Sequence, residues 1–419
     1  MLKKSSYLNS FYREFSLIFF SISISIFTFY SYQYIIRLLP NSIKPNLESI
    51  YQIGNSQFGS FAGIYYLGYI VIHIPLGVMI SRLGAKIIVP ASLALTGLGL
   101  LPIILNWHWN LVIYGRFISG IGSSCAAVAG FQIFRQISPD KYARMVGYMM
   151  FFGLCTAKFS EEYLSFLFQK FSLDYILTLL LLFALILSCI LFWVIPKFET
   201  KRDKNIILDI KEIIANKKLI FLSFCAALMV GSLEGFSDAW GSELLMQIYP
   251  NMNKITADHN MSFIFIGMSI GTLILPYISD RYNLSYFIAL ISCLGMAFPF
   301  LLMMFGVFPQ EYIYYPLAII GFFCAYQAST IAMIAKHAPA NKAGLTATFI
   351  NMIMMSFGNI FHKSIAFITE LLINRGISKE NAHIAGISVV PLAALLAFIL
   401  LIFFQILTKK NLTKYNNSF

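Results

Sequence analysis

The stretch Pro75–Lys86, PLGVMISRLGAK, closes a long apolar run with a turn that combines glycines with basic residues. The apolar run before this turn, from about residue 56 to residue 80, is long enough to cross a bilayer, which takes about 20 residues as a helix. Basic side chains directly after such a run are typical of a membrane–water interface. The turn therefore predicts a membrane-spanning helix that ends here.

The whole chain repeats this arrangement. Of its 419 residues, 58% are hydrophobic and only 11% are charged, and the mean hydropathy is +0.75, which is far more apolar than a soluble domain. The runs are continuously apolar, so each can satisfy its own backbone hydrogen bonds in lipid as a helix. We therefore predict an all-α integral membrane protein with twelve transmembrane helices. The predicted spans are 15–37, 56–80, 87–105, 109–134, 144–168, 174–195, 219–249, 259–279, 285–306, 312–335, 343–373 and 381–408.

Basic residues predict the orientation of these helices. Most of them fall on the side that carries both termini, and the positive-inside rule places that side in the cytoplasm. A multi-pass protein of the cell inner membrane is expected, with anionic lipid headgroups rather than nucleic acid as the counterions of its net charge of +12. The predicted loops of the opposite side hold few basic residues, namely Lys44, Lys170, Lys254, Arg375 and Lys379.

Weak internal repetition predicts two six-helix bundles. Sliding the chain against itself aligns Gly68 with Gly267, and Ser81 with Asp280. Such duplication is common in transporters. The predicted organisation is an N-terminal bundle over 1–195, a cytoplasmic linker with an amphipathic helix over 196–218, and a C-terminal bundle over 219–419.

Two motifs carry a family resemblance. The turn after the second span keeps a characteristic spacing through Gly77, Ser81, Arg82, Gly84 and Lys86. In the fourth span, Arg116, Gly120 and Gly122 follow the pattern R-x-x-x-G-x-G. Both motifs resemble signatures of the major facilitator superfamily of secondary transporters. The resemblance implies a central cavity lined by helices 1, 4, 7 and 10, and a transporter that works by alternating access.

The turn motif departs from the family pattern at one position. Where the family carries an aspartate that latches the two halves together, this chain has Ser81. The equivalent loop of the second half keeps Asp280 beside Arg281. The resemblance therefore implies a conformational gate whose latch is weaker than usual or is supplied by the second repeat. The fifth span lacks the Gly-Pro motif common in antiporters of the family, which favours uptake.

Charged residues within the spans are the candidates for chemistry. An ionised group at mid-bilayer costs at least about 2.5–3.5 kcal/mol, so such groups are usually paired or face a watery cavity. Glu234 and Asp238 lie four residues apart on one helical face, and two close carboxylates favour proton uptake by one of them. We predict both as proton-coupling residues, while permanent pairing with an arginine stays open. The predicted substrate-binding residues are Arg37, Arg116, Tyr34, Tyr65, Lys158 and Gln327.

A structural rather than a functional role also remains open for two of these residues. Arg37 is close enough to a helix end to reach the interface instead. Lys158 has spacings of three and four to Glu161 and Glu162, so an ion pair within one helix is equally available.

These features together predict a secondary transporter rather than an enzyme. The cysteines and histidines lack metal-ligand spacing, and neither a phosphate-binding loop nor a Ser/His/Asp pattern is present, so we expect no cofactor. We predict proton-coupled uptake, a symport, of a small anionic or zwitterionic solute such as an amino acid by a monomer. Two alternatives stay open: an exporter of amphipathic or drug-like compounds, and a non-transporting membrane receptor or lipid-handling protein.

Overall fold

The computed structural model describes residues 2–137, 142–197, 206–335, 337 and 343–416. Within these ranges some side chains lie outside the described residues, namely those of 2–18, 81, 135, 142–144, 146, 161, 162, 165, 206–209, 280, 328, 332, 335, 343–345 and 407–416.

The first half of the chain is a series of helices joined by short turns. Its helices are α1 (Leu2–Tyr51), α2 (Asn55–Leu83), α3 (Ala85–Leu98), α4 (Leu101–Ile104), α5 (Trp109–Ile137), α6 (Tyr142–Lys170) and α7 (Leu173–Val194). The helix α8 (Ile206–Ala215) follows within the segment predicted to contain a linker helix.

The second half repeats this plan with more interruptions. It consists of α9 (Lys217–Leu228), a π-helical turn called here the π-segment (Gly231–Ser237), α10 (Gly241–Ile248), α11 (Lys254–Met261), α12 (Phe263–Tyr282), α13 (Ser285–Met304), a 3₁₀ turn (Gln310–Tyr312), α14 (Tyr314–Cys324), α15 (Tyr326–Ala335), α16 (Ala343–Asn374), α17 (Lys379–Ile387) and α18 (Val389–Asn416).

Helices cover each of the twelve predicted spans. In the described part of the chain, eight helices are long and apolar enough to cross a membrane, and a ninth span is obtained if α9 and the π-segment count as one helix bent by 43°. The all-helical membrane fold is thus confirmed, and the number twelve stays a prediction.

Helix α1 differs most from its prediction. The predicted span ends at residue 37, yet the helix continues through Pro40 and Pro45 to Tyr51. Lys44, predicted to lie in a loop on the opposite side of the membrane, is instead helical and 7% exposed. That prediction was wrong because two prolines around a lysine are typical of a loop.

Glycines allow equivalent helices of the two halves to cross closely. A Cβ added at Gly120 of α5 would overlap the Tyr65 carbonyl oxygen of α2, and one at Gly321 of α14 would overlap the Ile264 carbonyl oxygen of α12. These two crossings have the same form. Gly120 of the fourth-span motif therefore allows close helix packing.

Helices α1, α2 and α6 of the first half pack against the second half. Helix α2 packs along α16, α1 packs against the π-segment and α10 through its polar residues, and α6 packs against α11 and α12. We call the end of the bundle that carries the linker between the halves the linker face. The opposite end, with the turn between α1 and α2, is the distal face.

The Gly120 crossing gives a first prediction. Because an added methyl would overlap a backbone carbonyl, we expect Gly120→Ala to lower the free energy of unfolding by about 1–3 kcal/mol. Thermal unfolding of the purified protein in detergent measures the change. Gly147→Ala is the control, since Gly147 lies in α6 with no atom near its Cβ position. Equal losses in both variants would contradict the close crossing.

Candidate functional site

A buried ion pair joins the two halves at the centre of the bundle. Arg37 Nε of α1 lies 3.2 Å from Asp238 Oδ2, at the end of the π-segment, and both side chains are almost fully buried. The Tyr66 hydroxyl of α2 donates a hydrogen bond to the same carboxylate. The guanidinium of Arg37 also lies over the Tyr34 ring, 4.5 Å from its centroid. Asp238 is thus held by two residues of the other half.

Glu234 lies on the π-segment with a single side-chain partner. Gln327 of α15 donates to its Oε1 at 3.2 Å, whereas Oε2 is buried with no hydrogen-bond partner among the described residues. The Nη2 atom of Arg37 is likewise buried without a hydrogen bond. The first half therefore presents an unused N–H donor on the Arg37 guanidinium, and the second half presents an unused acceptor oxygen on the Glu234 carboxylate.

The π-segment has a local cause. Gly231 and Gly235 lie against Phe361: an added Cβ would come within 2.7 Å of its ring at Gly231 and within 2.8 Å of its Cβ at Gly235. Glycine also destabilises a regular α-helix, so this stretch deforms more readily than its neighbours. Single π-helical turns inside helices are frequently found at functional sites. Here the turn carries Glu234 and is directly followed by Asp238.

Uncharged polar groups surround these charges. Gln33 donates to the Tyr65 hydroxyl at 3.0 Å, and the Tyr65 ring packs edge-on against Tyr66 with centroids 5.6 Å apart. Tyr34 packs edge-on against Tyr30. The structure thus brings Arg37, Tyr34, Tyr65, Gln327, Glu234 and Asp238 into one central region.

Arg116 has a different environment from the one predicted. Its Nη1 and Nη2 atoms donate to the backbone carbonyls of Ile36 (2.6 Å) and Arg37 (3.0 Å), and its guanidinium stacks 4.4 Å from the Tyr65 centroid. In a regular helix the Ile36 carbonyl would accept from the nitrogen of residue 40, but Pro40 has no N–H. Arg116 therefore replaces the hydrogen bond that Pro40 removes, and its role as a substrate ligand stays a prediction.

Lys158 is half-buried on α6 and lies 5.4 Å from the Phe159 ring centroid. The side chains of Glu161 and Glu162 are outside the described residues, so the predicted ion pair stays untested.

The predicted gate motif forms a turn at the linker face. Gly84 joins α2 to α3 with φ +89°, a conformation that strongly favours glycine. Lys86 donates to the Ile195 carbonyl at 3.1 Å, the Gly77 carbonyl accepts from Gln132, and Arg82 is exposed. In the second half, Arg281 donates to the Tyr277 hydroxyl at 3.4 Å. The side chains of Ser81 and Asp280 lie outside the described residues, so the inequality of the two gates stays a prediction.

A second polar cluster, missed by the sequence analysis, joins the halves at the distal face. Lys44 of α1 forms an ion pair with Glu243 of α10, and its ammonium lies 4.7 Å from the Trp240 ring and 4.9 Å from the Phe58 ring. His383 of α17 is fully buried, with Nδ1 3.6 Å from Glu243 Oε1. Lys44 is thus enclosed by carboxylate and aromatic rings.

The same cluster continues through neutral and charged groups. Asn41 donates to Ser242 Oγ at 3.1 Å, and Ser242 donates to the buried Asp258. Lys254 reaches both Asp258 (2.6 Å) and Asn41 (3.5 Å). We call the whole set the distal lock; its members are Asn41, Lys44, Ser242, Glu243, Lys254, Asp258 and His383.

Helical spacing could have revealed part of the distal lock. Arg37, Asn41 and Lys44 recur at intervals of four and three, which places them on one face of a helix. This face was not predicted because the first span was predicted to end at residue 37, and prolines such as Pro40 and Pro45 usually interrupt a helix.

The environment of Arg116 gives a second prediction. Removing its hydrogen bonds to buried carbonyls should lower the free energy of unfolding by about 1.5–3 kcal/mol per bond to a charged group. We expect Arg116→Gln to be clearly destabilising in the natural chain but less so in a Pro40→Ala background, where residue 40 can donate to Ile36 again. Thermal unfolding of the natural chain, the two single variants and the double variant gives the coupling free energy between positions 40 and 116. Strictly additive effects would show that Arg116 does not serve this carbonyl.

Known structures share this fold. The nucleoside transporter NupG has 15% sequence identity and a TM-score of 0.69, over 93% of this chain and 99% of that one. A point mutant of NupG has 14% sequence identity and a TM-score of 0.74, over 90% of this chain and 99% of that one. The fold is also shared by a bacterial homologue of the human lysosomal transporter Spinster, in an inward-facing and occupied conformation. It has 13% sequence identity and a TM-score of 0.67, over 91% of this chain and 94% of that one. No curated protein sequence matches the chain.

The sequence also matches a family model. The matched region, residues 15–362, contains the turn motif, the Arg116 motif, the π-segment and every member of the distal lock except His383, and is far more than half of the chain. The family consists of multi-pass membrane transporters rather than enzymes. The chain belongs to the Major Facilitator Superfamily.

Proposed function

We propose that this transporter takes up a small zwitterionic solute, such as an amino acid, together with a proton. The observation that carries the proposal is that Arg37 Nη2 and Glu234 Oε2 are buried without hydrogen bonds in the central site, where Arg37 Nε and Asp238 Oδ1 also lack them. Buried charged atoms without partners are costly, so a ligand that satisfies both would be strongly favoured. A guanidinium suits a carboxylate, and a carboxylate suits an ammonium group. A zwitterion offers both.

Proton coupling follows from the competition for Arg37. In this structure the Asp238 carboxylate forms an ion pair with the Arg37 guanidinium. A solute carboxylate that binds Arg37 would displace Asp238, and a buried carboxylate that loses its cation is stabilised by taking up a proton. Solute and proton would therefore favour each other's binding, which is the linkage that a symporter requires. In this scheme Glu234 binds the ammonium group and Asp238 carries the proton.

The distal lock supports alternating access. The polar contacts described between the halves run from the central pair to the distal face, so this conformation is closed on that side. Opening must separate Lys44 from Glu243 and Asn41 from Ser242. Since basic residues are abundant at the linker face, we propose that this face is cytoplasmic, that the membrane is the inner membrane, and that transport runs inward.

The first test is uptake by purified protein in liposomes. A mixture of labelled L-amino acids is offered with and without an inward proton gradient, and we expect gradient-driven accumulation. Glu234→Gln should raise KM by about tenfold or more, because a charge-assisted hydrogen bond is lost. Asp238→Asn should retain exchange of solute but lose accumulation driven by the proton gradient. Melting curves of both variants show whether they fold.

Other outcomes would overturn this assignment. Uptake of nucleosides but not of amino acids would assign the amide and tyrosine groups to a nucleobase instead, which is worth including because NupG is a nucleoside transporter. If Asp238→Asn accumulates solute as well as the natural chain does, Asp238 is not the residue that carries the proton. Resistance to amphipathic drugs on expression, without solute uptake, would favour an exporter.

The distal lock gives a further prediction. A cysteine at the buried Ala366 of α16, which lies against Gly59 of α2 and is not a member of the lock, reports whether the halves separate, in a background where the exposed Cys189 is serine. We expect Lys44→Met to increase the rate of maleimide labelling at this cysteine by about tenfold, because one buried ion pair is lost. Lys170→Met, a change at an exposed residue of α6, is the control. Unchanged labelling in Lys44→Met would show that the lock does not hold the halves together.

A further inference from the structure

His383 of α17 is a member of the distal lock that the proposed transport does not use. It is fully buried, and its Nδ1 lies 3.6 Å from Glu243 Oε1, which is too far for a hydrogen bond. Both ring nitrogens are buried without a hydrogen-bond partner among the described residues. Buried polar groups without partners are costly, so a conformation that gives this imidazole a partner is favoured.

Glu243 of α10 lies between two groups that can compensate its charge. In this structure the carboxylate forms an ion pair with Lys44, which belongs to the first half, while His383 belongs to the same half as Glu243. Because Lys44 already compensates the carboxylate, a further positive charge on the buried imidazole would lack a partner. His383 is therefore neutral while the lock is closed.

Opening of the distal face changes this balance. Lys44 leaves with α1, whereas Glu243 and His383 stay together, because α10 packs against α17 within the second half. Removing one partner of a buried ion pair is strongly destabilising, so the carboxylate then needs another cation. The imidazole that lies 3.6 Å away provides one by taking up a proton.

The other groups around the imidazole do not undergo this exchange of partners. Asp258 keeps Lys254, since both lie on α11. The Trp240 ring lies 5.5 Å from His383, and its indole donates to His362 of α16. The described side chains of α18, which also packs against α17, carry no charge. The remaining charged side chains nearby are exposed or partly exposed, namely Glu48 of α1, Lys363 and Glu370 of α16, and Lys379 and Glu380 of α17.

We propose that His383 is a second proton-binding site, which takes up a proton when the distal face opens and replaces Lys44 as the partner of Glu243. Acid then favours the open conformation, because that conformation binds one proton more than the closed one. An imidazole in contact with water titrates at about pH 6.5, so the effect falls between about pH 7.5 and about pH 5.5. The inference rests on the proposed function for the side of the membrane that supplies the acid, but the effect on the lock requires no solute.

Opening is measured by maleimide labelling of Ala366→Cys in the Cys189→Ser background, in detergent without solute. Each rate is divided by that of the unfolded protein at the same pH, which removes the titration of the thiol itself. With the lock residues unchanged, we expect the corrected rate to rise about tenfold from about pH 7.5 to about pH 5.5. This is the change that one group titrating at about pH 6.5 in the open conformation produces.

Variants of the two partners test the proton site. Asparagine and glutamine are polar but cannot take up a proton, so His383→Asn and His383→Gln should give equal corrected rates at both pH values. Glu243→Gln should be labelled faster at either pH and also lose the pH dependence, because a neutral amide needs no cation. Melting curves show which of these variants fold.

Two other buried histidines provide the controls. His73 forms its hydrogen bond within the first half, and His362 accepts a hydrogen bond from Trp240 beside the lock. We expect His73→Asn and His362→Asn to keep the pH dependence. A pH dependence that persists in the His383 variants or in Glu243→Gln, or that is lost equally in His362→Asn, would overturn the proposal.

Uptake separates this proton from the one that Asp238 carries. Because Asp238 is unchanged, we expect His383→Asn still to accumulate an amino acid under an inward proton gradient. Loss of accumulation in this variant would assign the coupled proton to His383 and contradict a role in the lock alone. If the natural chain accumulates none of the amino acids, the proposed function fails, while the labelling still decides whether His383 controls the lock.

Discussion

The structure depends on one constraint, which is that the charge of Arg37 must be compensated inside an apolar bundle. Asp238 provides that compensation from the other half, and both groups are almost completely buried. A pair of this kind adds little net stability when intact, but breaking it by removing one partner is expensive. The halves therefore cannot separate here unless each charge receives a new partner. In the proposed function, solute and proton are these partners, so binding would be coupled to the movement of the halves.

The same constraint shapes helix α1. Pro40 leaves the Ile36 carbonyl without its backbone donor, and Arg116 supplies the missing hydrogen bond from α5. The helix can then continue, which places Asn41 and Lys44 above Arg37 on the face that meets α10. An arginine that the family motif suggested as a ligand thus has a structural task in this conformation. Without it, the residues of the distal lock would have no rigid support.

Sequence alone predicted the features that depend on local pattern. Apolar runs give the helices, basic residues mark their ends, and Gly84 marks the turn that needs a positive φ. The carboxylates on the seventh span were also found, because charge in an apolar run is conspicuous. The distal lock was missed, since Lys44 is kept in the helix by Glu243 and Trp240, which are distant in sequence. The contacts of Arg116 with backbone carbonyls were also missed, because every residue has a carbonyl and no sequence pattern marks the ones that an arginine binds.

The pairing of charges explains why Glu234 is the distinctive residue of the site. Arg37 meets Asp238, Lys44 meets Glu243, and Lys254 meets Asp258. Arg116 donates from Nη1 and Nη2 to carbonyl oxygens, while its Nε is buried without a hydrogen bond among the described residues. Among the described residues, Glu234 has an amide as its side-chain partner and no cation within 4.0 Å. The other three acids named here, Asp238, Glu243 and Asp258, each face an arginine or a lysine. In the proposed function, this acid would bind the ammonium group of a zwitterion whose carboxylate binds the neighbouring arginine, which has an unused N–H.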